Sequence, residues 1–134
     1  MPATLITNLG AIVATIPQIK RVYADPPDSI SEFPCAMIYT VGGDMEAQGV
    51  GHFRVFHNLE LDIYSNMNVT AEAIAEARIW PGLLFPLLAA DMTLSAAAAS
   101  TDGVISYVSG PMPYGTDMHY GVKFSIRYKM ITTY

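Results

Sequence analysis

A strictly alternating segment lies near the end of the chain of 134 residues: Met118-His-Tyr-Gly-Val-Lys-Phe-Ser-Ile-Arg-Tyr-Lys-Met130. Large apolar side chains occupy every second position, and small, basic or histidine side chains stand between them. Successive side chains of a strand point to opposite faces of a sheet, so this alternation predicts a long strand with one covered face. Such a strand requires neighbouring strands and a layer that packs on its apolar side.

Three other segments supply the neighbouring strands. The second strand of the chain, His52–Ser65, is the longest of them and alternates in the same way. Its apolar side chains, on one face, are Phe53, Val55, Leu59, Leu61 and Ile63, and its polar side chains, on the other, are Arg54, Asn58, Glu60 and Asp62. This pattern is typical of a sheet covered on one face only. Shorter strands are predicted over Cys35–Val41, with Cys35, Met37, Tyr39 and Val41 on one face, and over Gly103–Ser109; Gly110–Gly115 is predicted to be a broad turn.

Two helices are expected to form the covering layer. Apolar residues recur at helical spacing over Ala3–Ile16, where a proline then stops the pattern. Thr70 is a suitable N-cap for a second helix. Because Pro81 and Pro86 each remove a helical hydrogen bond, this helix should be kinked or split near Trp80.

The order of elements is therefore helix, strand, strand, helix, strand, strand. We expect one α+β domain over residues 1–134, in which a small antiparallel sheet of about four main strands packs against two helices. The intervening segment Ala24–Pro34 holds three prolines and is expected to be extended or turning.

Charged side chains are scarce. The 7 Lys and Arg and 12 Asp and Glu make up 14% of the chain and give a net charge of −5, against roughly 25% charged residues in an average soluble domain. The acidic balance excludes a basic nucleic-acid-binding footprint, and the 51% hydrophobic content excludes intrinsic disorder. Because so few side chains are charged, much of the surface must be neutral polar or apolar. Such a surface indicates burial against other subunits.

The number of cysteines and the positions of the apolar segments indicate the cellular compartment. Cys35 is the single cysteine, so no intrachain disulfide can form and a reducing compartment is expected. Residues 1–16 carry no basic residue, unlike a secretory signal. The most apolar window, Ile79–Ala99, is interrupted by Pro81 and Pro86, so no membrane span is expected.

No residue pattern predicts catalysis, a cofactor or a metal. The three histidines His52, His57 and His119 lie in predicted strands without metal-ligand spacing. Cys35 opens an apolar strand, where packing is the better interpretation than a nucleophilic thiol. The chain contains no nucleophile elbow, phosphate loop or dinucleotide fingerprint.

Charged residues on two predicted strands form complementary faces. Glu60 and Asp62 are two residues apart on the polar face of one strand, where both are expected to stay ionised and solvated. Paired carboxylates perform acid–base chemistry in a closed cleft, but an open sheet face does not provide one. The last strand carries a basic face, and cross-strand or cross-subunit pairing with the carboxylates is expected. Its members are Lys123, Arg127 and Lys129.

A resemblance to a known family rests on both ends of the chain. The N-terminal part contains, in order, Ile16-Pro17, Ile19-Lys20, Val22-Tyr23, Pro26-Pro27, Asp28-Ser29-Ile30 and Phe33-Pro34. The C-terminal part contains Tyr120-Gly121-Val122-Lys123-Phe124-Ser125-Ile126 in a long amphipathic strand. In element order, this arrangement resembles the tail terminator (tail-completion) proteins of long-tailed bacteriophages and related phage-like particles over most of the chain.

The resemblance implies a structural protein without catalysis. It implies a ring, commonly of six copies, that caps the tail tube protein and joins it to the head–tail connector or stopper protein. Genome DNA would pass through the lumen without sequence-specific binding, in a virion neck assembled in the host cytoplasm. Three alternatives stay open: another neck ring protein (head-completion or connector), a cytosolic α+β small-molecule-binding domain or enzyme, and a generic interaction module.

A glycine-rich connection, Gly42–Gly51, is the candidate docking element between rings. Four glycines in ten residues mean that the backbone loses much conformational entropy when it becomes ordered. Met45 and Val50 nevertheless offer apolar contacts. We expect a loop that is mobile in the free protein and ordered when the neck assembles. The candidate docking residues are Gly42, Gly43, Asp44, Met45, Glu46, Gln48 and Val50.

Overall fold

The structure, a computed structural model, describes residues 2–23, 33–66, 71–91, 100–101, 105–114 and 117–133. Within these residues, six strands form one sheet and three helices accompany it. The strands are β1 (Arg21–Tyr23), β2 (Cys35–Gly49), β3 (His52–Asn66), β4 (Ser100–Thr101), β5 (Ser106–Tyr114) and β6 (Asp117–Thr133). The helices are α1 (Pro2–Val13), α2 (Ala71–Ala77) and α3 (Trp80–Ala90). The predicted α+β class is confirmed.

The sheet is built around the long pair of β3 and β6. Its order is β1-β2-β3-β6-β4, and β5 pairs with β6 on the same side as β4 but further along the strand. β1 runs parallel to β2, so the sheet is mixed and the prediction of a purely antiparallel sheet was wrong. The short strands β1 and β4 were missed because two or three residues are too few to show an alternation.

The main core lies between the helices and one face of this sheet. α1 contributes Leu5, Leu9 and Val13, which are fully buried and four residues apart, so they share one helical face. The helix ends at Val13, three residues before the predicted Ile16, which is still buried in the core. The sheet contributes Leu59, Leu61 and Ile63 from β3 and Val122, Phe124, Ile126 and Tyr128 from β6.

The second predicted helix is divided into α2 and α3, as expected from its prolines. Arg78 and Ile79 separate the two helices, and Pro81 stands in the first turn of α3, where no helical N–H is needed. Trp80 is fully buried and its indole N–H donates to Ser65 Oγ at 2.9 Å, which ties the start of α3 to the end of β3. The proposed cap Thr70 and the residues 24–32 lie outside the described residues.

Two segments predicted to be loops or turns are strands instead. The segment predicted as the connection Gly42–Gly51 is mostly strand, because β2 continues to Gly49 and pairs with β3 up to His52. Val50 and Gly51 alone form the turn, with Gly51 at φ +76° in the left-handed region. Gly110–Tyr114 likewise pairs with β6, and its prolines are tolerated because β5 has no further strand on its outer side within the described residues.

The second face of the sheet is also partly covered, contrary to the prediction of one covered face. A small apolar cluster there contains Cys35, Met37, Tyr64 and Met112. His119 is buried beside it, with its ring stacked on Phe33 at a centroid distance of 5.2 Å and edge-on to Tyr64 at 5.5 Å. Since Met112 comes from β5 and Cys35 from β2, this cluster draws on strands from both sides of the central pair β3 and β6. Among the described residues, no helix is long and apolar enough to cross a membrane.

Candidate functional site

A cleft opens on this second face, next to the small cluster. It has a volume of about 400 Å³, within the roughly 300–1,000 Å³ typical of small-molecule sites. β2 and β3 supply Tyr39, Asp62 and Tyr64, and β6 supplies Lys123. The wall from β5 is apolar or small and consists of Val108, Gly110, Pro111, Met112 and Pro113.

One phenol bridges the two carboxylates at this cleft. Tyr39 Oη lies 2.7 Å from Glu60 Oε2 and 2.8 Å from Asp62 Oδ2, so both oxygens are within hydrogen-bond distance. The register explains the contact, because Tyr39 stands opposite Glu60, next to the pair of Met37 and Asp62. A phenol has a single hydrogen to donate, so it cannot fully satisfy two ionised carboxylates at once.

Asp62 is buried, although the sequence predicted a solvated carboxylate. Its side chain belongs to a residue that is 4% exposed, and Oδ1 has no hydrogen-bond partner within the described residues. Burial raises the pKa of Asp62, and the hydrogen bond from Tyr39 and the charge of Lys123 oppose that rise. The pKa of Tyr39 is also raised, by burial first and then by its two carboxylate partners. The prediction failed because Gly110–Pro113, which forms most of the β5 wall, was predicted to be a turn and not a strand beside the cleft.

The basic residues of β6 separate into different environments. Lys123 lies opposite Asp62 in the register, and its Nζ is 3.4 Å from Glu60 Oε2. Arg127 instead contacts Asp44 at 3.2 Å, and its guanidinium carbon lies 4.1 Å from the centre of the Phe56 ring. Lys129 stands opposite Phe56 in the register. Lys123 therefore meets one of the predicted carboxylates, and Arg127 meets a residue of the supposed loop.

A bulge in β2 brings Asp44 within reach of Arg127. The register shifts between Thr40 and Gly42, so that Val41 is the extra residue in the strand. Beyond the bulge, the side chains of β2 exchange faces, and Asp44 shares a face with Phe56, its partner in β3. The predicted single face of Cys35, Met37, Tyr39 and Val41 thus ends at the bulge.

Beyond the bulge, three strands continue as an antiparallel extension, here called the arm (Gly42–Gly49, His52–Asn58 and Arg127–Thr133). The base of the arm still belongs to the main core through Tyr128, and β4 pairs with it at Tyr128 and Lys129. One arm face carries the row Met45, Val55 and Met130, which are partners in the two registers. Met45 is 59% exposed and the other two are half-buried. The candidate docking residues all lie in the arm or its turn: Gly42, Gly43, Asp44, Met45 and Glu46 are exposed in β2, Gln48 stands at a second register shift, and Val50 is fully exposed at the tip.

The other candidate residues from the sequence lie apart from the cleft. Cys35 is fully buried in the small cluster, and burial raises the pKa of its thiol to about 12, which makes it a poor nucleophile. His57 is half-buried in β3, and burial lowers its pKa. No group of three His, Cys, Asp or Glu side chains that could hold a metal ion occurs in the described part of the chain.

Comparison with known proteins adds no family. No protein-family model matches the chain, and no curated protein matches it significantly.

Proposed function

We propose that this protein is a ring-forming structural component of the neck of a long-tailed phage or phage-like particle, of the tail terminator class. The ring, of six copies, caps the tail tube and joins it to the head–connector complex. The observation that supports this proposal best is the arm, which presents an apolar row and an outer edge of β2 that pairs with no strand of the described part of the chain.

Three of the seven large apolar side chains that are exposed among the described residues lie on the arm, at its base or in its turn. Val41 is 52% exposed, Met45 59% and Val50 100%. Exposed apolar side chains that cluster on one surface are typical of protein interaction sites. An arm of paired strands can reach a neighbouring subunit without the ordering cost that a mobile loop would carry.

The outer edge of β2 offers a second means of association. On its outer side, opposite β3, β2 pairs with β1 at residues Cys35–Met37, and no described strand lies on that side of the remainder of β2. Such an edge presents free backbone N–H and C=O groups that can pair with another chain. Head-to-tail contacts of this type close into a ring when the rotation between subunits permits it.

The charge balance agrees with DNA passing through the ring. A net charge of −5 on each subunit does not attract the phosphate backbone, whose binding depends on Lys and Arg contacts. The lumen therefore needs no sequence-specific contact with the genome.

Light scattering and negative-stain electron microscopy of the full chain test this proposal. The expected result is a ring with a central pore, formed by the protein alone or on tail tubes. Met45→Lys should reduce ring formation, whereas Ala89→Lys, on an exposed position of α3, should not. A stable monomer at high concentration, with no ring on tail tubes, would contradict the proposal.

Two further outcomes identify the alternatives. A ring that binds purified head connectors but not tail tubes would indicate another neck ring protein. The second candidate function is an α+β small-molecule-binding domain or enzyme, which the cleft at Asp62 favours. A monomer that binds a small ligand in this cleft would support that candidate.

A further inference from the structure

Exposed apolar side chains mark both edges of the sheet. On the β2 side, Met45 is 59% exposed, and on the opposite side Tyr107 and Val108 of β5 are 48% and 73% exposed. The outer side of β5, like the outer side of β2 beyond Met37, has no described strand beside it. Each copy therefore has two strand edges, on opposite sides of its sheet, that can pair with another chain.

The first half of β5 is suited to such pairing. Ser106–Gly110 contains no proline and no charged side chain, whereas Pro111 and Pro113 lack the N–H group that a strand ladder needs. Charged side chains and prolines are common means by which an edge strand is kept from pairing. On β2, a segment of the same length, Gly42–Glu46, follows the bulge and pairs regularly with β3. Both edges thus contain a regular segment with a free outer side in the described part of the chain.

The two segments run in opposite directions. β2 and β6 are both antiparallel to β3, so they share a direction, and β5 is antiparallel to β6. Copies related by rotation about a ring axis keep these directions, so β5 of one copy and β2 of the next would lie antiparallel. Antiparallel pairs are slightly more stable per residue than parallel pairs. A contact between two different edges is heterologous, which is the kind that closes into a ring.

The faces of the two strands decide which side chains meet. Tyr107 stands opposite Phe124 and packs against its ring, on the face of the main core. Met45 stands opposite Val55, which shares that face because it is four residues from Leu59. Residues opposite each other in a ladder share a face, so Met45 of one copy can stand opposite Tyr107 of another. Contact between a methionine sulfur and an aromatic ring is favourable, and it would cover two exposed apolar side chains.

Charge disfavours contact between two β2 edges. β2 carries Asp44 and Glu46 and no basic residue over Thr40–Gly49. Glu46 is exposed and forms no ion pair within the described residues. Two β2 edges would bring these like charges together, and like charges across a strand pair are destabilising. The β2 edge therefore requires a partner edge that is neutral or basic.

The β5 edge meets this requirement. When Met45 stands opposite Tyr107 in an antiparallel pair, Glu46 faces Ser106 and Asp44 faces Val108. β5 itself carries no charged residue. The strand behind it is basic at this level, because Val108 is the partner of Lys123 in β6, whose side chain is 43% exposed.

We propose that copies of this protein join edge to edge, with Ser106–Gly110 of one copy paired antiparallel to Gly42–Glu46 of the next. Tyr107 then stands opposite the neighbour's Met45, and the main-core faces of the two sheets are continuous across the contact. The inference rests on the proposed ring and names the two surfaces that close it.

Cysteine cross-linking between two variants of the full chain tests this contact. Glu46→Cys and Ser106→Cys place thiols at facing positions on different copies, while Cys35 stays buried. A mixture of the two variants, treated with a short bismaleimide, should give on the order of 10-fold more covalent dimer than either variant alone, because only the mixture has thiols on adjoining strands. Ala89→Cys, on an exposed position of α3, should give no such increase when it is mixed with Ser106→Cys.

Two substitutions at one exposed position separate the contact from the stability of a single chain. Val108→Glu places an acid opposite the neighbour's Asp44, and Val108→Lys places a base there. Within one chain the preference is reversed, because Lys123 is the cross-strand partner of this position. Val108→Glu should therefore need about 2–10 times the protein concentration of Val108→Lys for half-maximal ring formation, since one exposed charge contact changes sign. In urea unfolding of the single chain, Val108→Glu should not be the less stable variant.

The outcomes distinguish this inference from the proposed ring. Rings that form without cross-linking in the mixture, or that form equally well from Val108→Glu and Val108→Lys, would overturn the contact and leave the ring in place. Abundant dimer from Glu46→Cys alone would identify contact between two β2 edges and overturn the proposed pairing. A full chain that stays monomeric at every concentration would remove the ring and the contact together.

Discussion

Replacing one of two facing glycines with alanine should destabilise the fold, whereas replacing the other should stabilise it. Gly121 of β6 and Gly110 of β5 are partners in the strand register, so both lie in the same row of the sheet. A Cβ atom at Gly121 would collide with the backbone carbonyl oxygen of Ile63, next to the register shift at which the regular ladder between β3 and β6 ends. A Cβ at Gly110 would meet no atom within 4 Å among the described residues.

The expected magnitudes follow from these surroundings. The carbonyl of Ile63 cannot move without loosening the strand ladder, so Gly121→Ala should lower the free energy of unfolding by about 2 kcal/mol, in the range for overpacked sites. At roughly 4 °C per kcal/mol for a domain of this size, the melting temperature should fall by about 8 °C. Gly110→Ala should instead stabilise the fold by about 0.4–1 kcal/mol, since alanine restricts the unfolded chain.

Urea unfolding followed by circular dichroism measures both variants against the parent chain. Tryptophan fluorescence provides a second probe, because Trp80 is buried at the start of α3. Equal effects of the two substitutions, or a neutral Gly121→Ala, would refute the argument from the Ile63 carbonyl.

Three further predictions concern side chains of the cleft and its surroundings. A double-mutant cycle should give a coupling of about 0.2–1 kcal/mol between Glu60 and Lys123, since the pair is partly exposed, and none between Glu60 and Lys129; equal couplings would contradict the observed geometry. Because the pKa of Asp62 is raised in the folded state, the folded chain holds a proton that the unfolded chain has already released. Urea unfolding at a series of pH values should therefore show stability falling as pH rises from the ordinary aspartate pKa through the raised one. The decrease should be smaller in Asp62→Asn, in which only the raised pKa of Glu76 still contributes. Cys35 should not react with a thiol reagent in the native protein but should react in urea, and rapid native labelling would show that the small cluster opens.

Alternation and helical spacing identified the elements that bury most apolar surface. The regular pattern from Met118 to Met130 predicted β6, and the pattern from His52 to Ser65 predicted β3, because each strand has one face in the main core. The first helix was likewise evident from its apolar stripe. These patterns are local, so the sequence displays them directly.

Features that depend on contacts distant in the sequence were not visible. The glycines of Gly42–Gly51 have low strand propensity, but the long strand opposite them provides backbone partners that outweigh it. Pro111 and Pro113 indicated a turn, yet an edge strand tolerates them, and that strand lines the same cleft as Asp62. The carboxylate was identified from the sequence as a candidate, but its burial depends on neighbours that are distant in the sequence, such as Tyr39 and Lys123.

The unbroken pairing of β3 with β6 has a mechanical consequence. The ladder runs without a register shift from His52 opposite Thr133, at the arm, to Tyr64 opposite Gly121, beside the small cluster. The arm is therefore rigid relative to the core, because bending it would distort the hydrogen bonds of the ladder. A load applied at the turn of Val50 and Gly51 would be transmitted as shear to the strands that carry Glu60 and Asp62. A partner that binds this turn tightly therefore fixes the orientation of the entire subunit.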